Sequence, residues 1–405
     1  VDFSLGPDLE LFRESLRRGL EKLLGGGRWA EIDEAGVLPA ETIRGLGALG
    51  VLALVCPEEL GGQGGGWLEA AIAAEEIGYH DPSMSTAVYT LLNNAWPFIL
   101  SRHGSPEVAG GIVEKVAKGE MFFGIASTEP GGGSDVAGIK TRAERSGDYY
   151  RVYGEKILIS GVREALETLD YGGWLLLART GGEGHRGLSA FAFTGKWDGS
   201  LASGLEYSIL DTIGRHGIST GILRLDGAEV HASRIVGGEG RGFYVAMEGF
   251  PLARILVAAA NVGAARWALE RAVEWSRERR LFGGRPIASF QGVSFSIAEA
   301  FAGLEAARLL VYRAAWTADR YVRGEAAREE LNLYSASAKL KAVDTAFSIF
   351  QETMKIVGGI SFTKEVDVHR GLLGTLSYLV GAEGAQNIMK YIIARDLIGR
   401  EYVKL

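Results

Sequence analysis

The run Ser127-Thr128-Glu129-Pro130-Gly131-Gly132-Gly133-Ser134-Asp135 has residue types suited to holding a phosphorylated or flavin-like cofactor. Three successive glycines let backbone amides come close to a ligand, and the hydroxyls of Thr128 and Ser134 add polar contacts that an ordinary turn does not need. The plainer reading is a surface turn after a buried strand. A second feature, Glu383-Gly384, lies near the start of the last predicted helix. A lone glutamate there reads first as a residue that complements the helix dipole, and only its surroundings can give it a chemical role.

The elements that must position these residues change character along the chain. From Pro7 to about Gly119 apolar residues recur at helical spacing, as in Leu9, Leu11, Phe12 and Leu16, with Pro57 to Gly66 as a glycine-rich interruption. Between Phe122 and about Val236 the pattern becomes short strand-length pieces: Phe122–Ile125, Tyr149–Tyr153, Lys156–Ser160, Trp174–Ala178, Leu188–Phe193 and Ile222–Leu225. Ser146-Gly147-Asp148 reads as a hairpin turn. Long helical segments return at Val257–Arg279, Phe290–Arg323, Ala327–Val357 and Ala385–Ile398. The expected fold is α+β and mainly α: a helical domain over 1–120, a β-barrel or sandwich over 121–237, and a four-helix bundle over 238–405 whose spare apolar stripes meet partner subunits.

Composition narrows the function classes. The 405 residues are 47% hydrophobic and 23% charged, enough for a substantial core. A net charge of −7 with no basic block argues against nucleic acid as a partner. The single Cys56 and six scattered histidines offer neither a disulfide framework nor a zinc site, so no metal is expected, and Cys56 reads as a small buried hydrophobe. Apolar stretches such as Ile255 to Leu269 are broken by Asn261 and Arg266, short of the ~18–20 residues that a membrane span needs. With no targeting segment legible, the expected location is cytoplasmic.

The motifs and the order of elements converge on one family. Ile32-Asp33-Glu34 with Leu38-Pro39, Leu46 to Leu52, Pro57 to Gly62, Thr128-Glu129-Pro130 with Gly133-Ser134-Asp135, and Gly154-Glu155-Lys156 with Ile159-Ser160 fall in sequence. They are followed by Arg279-Arg280-Leu281-Phe282-Gly283, Phe290-Gln291, and Glu383-Gly384 ahead of Ile392-Ile393-Ala394-Arg395. Along nearly its whole length the chain resembles the acyl-CoA dehydrogenase family of flavoproteins.

That resemblance implies FAD as cofactor and α,β-dehydrogenation of an acyl-CoA to the trans-2-enoyl-CoA, in fatty acid metabolism. A carboxylate takes the α-proton, the β-hydride passes to the flavin N5, and electrons go on to an electron-transfer flavoprotein. Glu383 is implied as the base, since Ala253 occupies the family's alternative position, before Arg254. The Glu383 backbone N–H and a ribityl hydroxyl would stabilise the enolate-like oxygen. Leu376, Leu379, Val380 and Ala382 are expected to give Glu383 an apolar pocket that raises its pKa.

The resemblance assigns Thr128 and Ser160 to the flavin ring and Ser134 to the pyrophosphate. Arg279, Phe282, Gln291, Gly358 and Gly359 fall to the adenosine half of FAD in a neighbouring subunit, which implies a homo-oligomer, a tetramer built as a dimer of dimers. Arg279 alone reads equally as a solvated charge. Tyr89, Phe250, Arg254 and Gly384 are implied as substrate contacts, Arg254 either in a carboxylate pair or on CoA. Tyr89 shortens the pocket, and the absence of arginine from Met84 to Leu92 argues against a dicarboxylic substrate. Leu158 stands where an aromatic often covers the flavin, and Lys355 replaces a glutamine ahead of Gly358-Gly359. The competing readings are an acyl-CoA oxidase using O₂ and a non-catalytic flavin- or acyl-CoA-binding assembly module.

Overall fold

A computed structural model describes residues 4–404. Six helices open the chain: α1 (Pro7–Leu24), α2 (Arg28–Ala35), α3 (Ala40–Ala48), α4 (Trp67–His80), α5 (Ser85–His103) and α6 (Pro106–Ala117). Nine strands follow: β1 (Met121–Ala126), β2 (Arg142–Ser146), β3 (Tyr149–Ser160), β4 (Tyr171–Arg179), β5 (Leu188–Trp197), β6 (Ser200–Leu201), β7 (Leu205–Leu210), β8 (Thr220–His231) and β9 (Ile235–Val236). The C-terminal part is α7 (Gly242–Glu278), a small hairpin of β10 (Arg280–Leu281) and β11 (Arg285–Pro286), then α8 (Gln291–Val322), α9 (Arg328–Val357), α10 (Val368–Val380) and α11 (Gln386–Ile398).

The nine strands form one mixed sheet in the order β6-β5-β4-β2-β3-β8-β7, with β1 parallel to β4 and β9 beside β5. The two pieces expected at Tyr149–Tyr153 and Lys156–Ser160 are one strand, β3, whose register against β8 slips at Val152/Tyr153 and Ile157/Ile159. Those bulges break the inward-outward alternation, which is why one strand reads as two. The expected hairpin is the β2–β3 connection, with Gly147 left-handed at φ 62°. A fifth C-terminal helix, α10, joins the expected four. Its short span holds Gly371 and Gly374, which weaken a helical reading, and it stops at Gly381.

The core runs continuously from the first helices through the sheet into α7. Helix α7 is long and apolar enough to cross a membrane by length and composition, but most of that stretch is buried against its neighbours. It lies against α4 backbone to backbone: a side chain at Gly78 would strike Ala260, and one at Gly263 would strike Glu75. This approach brings Arg266 onto two buried carboxylates of α4, Glu75 at 3.2 Å and Glu76 at 2.9 Å. Arg17 of α1 binds Glu76 at 2.9 Å, while Arg308 of α8 binds Glu75 at 3.1 Å. Burial pushes the Glu76 carboxyl up, but Arg266 and Arg17 outweigh it and hold the group down at about 2.

Four helices are thereby tied by one ionic cluster around α7, the helix that positions the site. Glu76→Gln leaves Arg17 and Arg266 facing a neutral group in a poorly solvated place, a loss of about 3–5 kcal/mol. Thermal unfolding should show a melting temperature several degrees lower. An unchanged melting temperature would mean that the cluster does not hold these helices.

Candidate active site

Glu383 sits in the turn between α10 and α11, and that turn is strained. Ala382 and Glu383 are left-handed at φ 51° and 52°, with Gly384 at 108°. A non-glycine residue in this region costs about 1–3 kcal/mol, so neighbours must over-determine the conformation. Two buried cations do so. Lys339 of α9 donates from Nζ to the carbonyls of Gly381 (3.1 Å), Ala382 and Gly384, and Arg254 of α7 donates from Nε to the Glu383 carbonyl at 2.8 Å. Four consecutive carbonyl oxygens are thus held, three by Lys339 and one by Arg254.

The Glu383 side chain is left free by this arrangement. Its Oε2 is enclosed and has no hydrogen-bond partner, and none of the ion pairs among the described residues involves it. Burial pushes its carboxyl up to about 7, with Lys339 and then Arg254 pulling the other way. The same burial draws Lys339 down to about 7 and Arg254 down to about 10. A carboxylate of raised basicity beside positive charge is suited to receiving a proton while negative charge develops next to it.

The enclosure differs from the expected apolar one. Val380 and Ala382 are exposed, and Leu376 and Leu379 are only half-buried. Arg254, Lys339 and Tyr378 stand around the carboxyl instead. Lys339 and Tyr378 escaped the sequence reading. The available signal was a lysine on the buried stripe of α9, flanked by Ser335, Ala336, Ala342 and Val343.

Phe250 and Gly384 join this cluster. The Arg254 guanidinium lies 5.9 Å from the Phe250 ring centre, and Phe250 packs edge-on against Trp96 at 5.3 Å. A side chain at Gly384 would come within 2.8 Å of Met389 and 3.5 Å of Arg254. Tyr89 of α5 is wholly buried against Phe122 of β1 at 5.5 Å, and its hydroxyl has no partner.

At the end of β1, the Thr128 carbonyl accepts from Ile157 of β3 at 2.9 Å, anchoring the glycine loop to the sheet. Glu129 fixes the loop from inside: its carboxylate accepts from Lys140 N (2.7 Å), Thr141 N (2.9 Å) and the buried Lys156 Nζ (2.9 Å). Burial opposes ionisation of Glu129, but Lys156 and these donors keep the carboxyl below its ordinary range. Beyond this anchor Gly131 and Gly132 have nothing within 4 Å of where a side chain would begin, and Ser134 is exposed. Ser160 ends β3, its carbonyl accepting from Trp174 Nε1 at 3.4 Å. Leu158 occupies the β3 bulge at φ 59°, its side chain 61% exposed.

The remaining candidates gather elsewhere. Arg279 donates to the Val357 carbonyl at 2.6 Å and lies against Gly358, where a side chain would come within 2.7 Å of the guanidinium. Gly359 and Gln291 are exposed, and Phe282 projects from the β10–β11 hairpin with 81% of its surface free. Phe282 meets Phe290, the residue before Gln291, at 5.7 Å. Lys355, in place of the expected glutamine, is paired with Glu352 at 2.6 Å.

Comparison with known proteins decides the family. Acyl-CoA dehydrogenase N-terminal, middle and C-terminal domain descriptions match residues 6–120, 124–228 and 240–398. The chain belongs to the acyl-CoA dehydrogenase family. It is 32% identical to glutaryl-CoA dehydrogenase of Desulfococcus multivorans over 98% of both chains. Butyryl-CoA dehydrogenase of Megasphaera elsdenii superposes with a TM-score of 0.88 at 28% identity, over 98% of this chain and all of that one. A chain from work on the electron transferring flavoprotein of Acidaminococcus fermentans and flavin-based electron bifurcation superposes at 0.89 with 29% identity, again over 98% and 100%.

This acyl-CoA dehydrogenase is an FAD-dependent oxidoreductase, and its residues fit the cofactor. The open glycine shelf, rimmed by the Thr128 and Ser134 side chains and backed by Glu129 and Lys156, provides room, donors and a rigid floor. Glu129→Ala removes the acceptor for two backbone amides and leaves Lys156 buried and unpaired. The purified variant should carry less than half the parent's flavin absorbance per protein while its far-ultraviolet circular dichroism is preserved. Full flavin content would show that the Glu129–Lys156 pair does not support the shelf.

Proposed function

We propose that this acyl-CoA dehydrogenase converts a short acyl-CoA to the trans-2-enoyl-CoA with Glu383 as the base, and passes the electrons to an electron-transfer flavoprotein. The supporting observation is the half-buried Glu383, whose enclosed Oε2 has no hydrogen-bond partner and which lies beside two cations that bind the backbone instead. Bound FAD supplies the acceptor for the β-hydride. The chain's own residues remove the α-proton at Glu383 and keep positive charge next to the thioester as its carbonyl oxygen becomes enolate-like. Thr128, Ser134 and Ser160 hold the flavin and pyrophosphate, and Gly384, Arg254, Phe250 and Tyr89 border the substrate. The bulky Tyr89, buried against Phe122, favours a short chain, and the likeness to relatives named for glutaryl- and butyryl-CoA is in keeping with that. The likeness to the Acidaminococcus fermentans chain supports the electron acceptor.

Anaerobic mixing with butyryl-, isobutyryl-, glutaryl- and palmitoyl-CoA should bleach the oxidised flavin, fastest with the short monocarboxylic thioesters. Glu383→Gln should slow bleaching by about 10²–10⁴-fold while FAD and acyl-CoA still bind. Because the protonated carboxyl cannot accept a proton, the parent's rate should fall about tenfold per pH unit on the acid side of a limb near 7. Bleaching that is unaffected by the substitution, or level from about pH 5 to pH 9, would contradict this reading.

The proposed assembly is a homo-oligomer. Arg254 and Arg279 lie 25 positions apart on and just beyond α7, about 37 Å at 1.5 Å per residue. In our reading the Arg279–Gly358 corner, with Phe282 and Gln291, serves the cofactor of a neighbouring subunit, and this separation from Arg254 supports it. Phe295, Ala302, Leu309 and Trp316 recur every seven residues on the exposed face of α8 and provide an apolar seam for the same assembly, a dimer of dimers. Phe282→Glu should lower retained FAD after gel filtration by more than half. A protein that sediments as a monomer with a full complement of FAD would refute the shared site.

A further inference from the structure

We propose that Lys339 is a positioning residue for the reaction: its buried ammonium fixes the backbone turn that presents Glu383 and sets the electrostatic field in which that carboxylate works. The inference rests on Glu383 acting as the base. It goes beyond that reading by giving a second residue, remote in sequence and on a different helix, control over the base's geometry and proton affinity.

The geometry is specific. An ammonium has three donors, and Lys339 directs them to the carbonyls of Gly381, Ala382 and Gly384. The omitted carbonyl, that of Glu383, is taken by Arg254. The turn therefore has no free carbonyl with which to relax, and the left-handed Ala382 and Glu383 are held where isolated residues would not stay. A lysine buried to 1% exposure with no carboxylate of the described residues within ion-pair distance is costly unless its protons are used this way.

The charge has a second effect. With Lys339 protonated and Glu383 ionised, Lys339, Arg254 and Glu383 together carry one net positive charge, and after proton transfer they carry two. The field thus grows as the substrate's oxygen becomes negative. The groups facing this cluster are Arg254 from α7 and Tyr378 from α10, with Arg215 behind Tyr378. From α11 come the apolar Met389 and Ile392, with Tyr391 at the edge of that contact. Burial and Arg254 act together to lower the proton affinity of Lys339, while Glu383 raises it. Loss of the Lys339 charge must therefore raise the proton affinity of Glu383.

The test compares the FAD-loaded parent with Lys339→Met, Lys339→Gln and Lys339→Arg. Both neutral variants should move the acid limb of flavin bleaching by butyryl-CoA to higher pH, with at least about a tenfold loss at pH 6 and a smaller loss at pH 9. Backbone amide hydrogen exchange over residues 378–388 should quicken in Lys339→Met, less so in Lys339→Gln, and Lys339→Arg should keep the parent's limb. If Lys339→Met fails to fold, Lys339→Gln and Lys339→Arg still decide the charge effect. A limb that stays in place in the neutral variants, with or without an even loss of rate at every pH, overturns the proposal. Glu383→Gln measured alongside separates the two claims: if it still bleaches, the base assignment fails, whereas if it is inert and the limb ignores Lys339, only the present inference fails.

Discussion

The site depends on how two buried cations are used. Lys339 and Arg254 are both close enough to influence Glu383 electrostatically, yet their donors are directed to its backbone turn and not to its carboxylate. A direct salt bridge would satisfy the acid, lower its basicity and leave it unfit to take a weakly acidic proton. Binding the carbonyls instead keeps positive charge nearby while the carboxyl oxygen stays unpartnered. The left-handed Ala382 and Glu383 are the local cost of that choice.

Such a turn persists only if the helices supplying the cations are fixed to one another. Arg254 belongs to the fully buried middle of α7, and Lys339 to the α9 face that packs against it. The glycine contacts between α4 and α7, and the Glu75–Glu76 cluster linking α1, α4, α7 and α8, make the frame on which that geometry rests. The glycine loop proposed to hold the flavin has a similar device on a smaller scale. There a buried Lys156–Glu129 pair anchors an open glycine loop, so that the glycines are exposed and their support is not.

Much of this was legible from residue order. The helical, β and helical parts carry local signatures in their apolar spacing, whereas the loop at Thr128 to Asp135 and the Glu383-Gly384 pair read alone as a turn and a helix-end residue and drew a role only from the order of motifs along the chain. The Cys56 side chain is buried as expected for a small hydrophobe. What escaped was set by tertiary contact. Lys339 and Lys156 look like ordinary charges until the helix face and the strand parity on which they sit prove to be buried, and the bulges in β3 disguised one strand as two. The expected apolar wall around Glu383 proved charged, because the turn directs Val380 and Ala382 outward.

The most direct measurement is a crystal structure of the FAD-loaded protein with a non-reactive acyl-CoA analogue. The account predicts a Glu383 carboxylate oxygen about 3–3.5 Å from the analogue's α-carbon, on the opposite side from the flavin, with Lys339 and Arg254 still on the turn's carbonyls. A Glu383 side chain directed to solvent, or paired with either cation and away from the α-carbon, would contradict it.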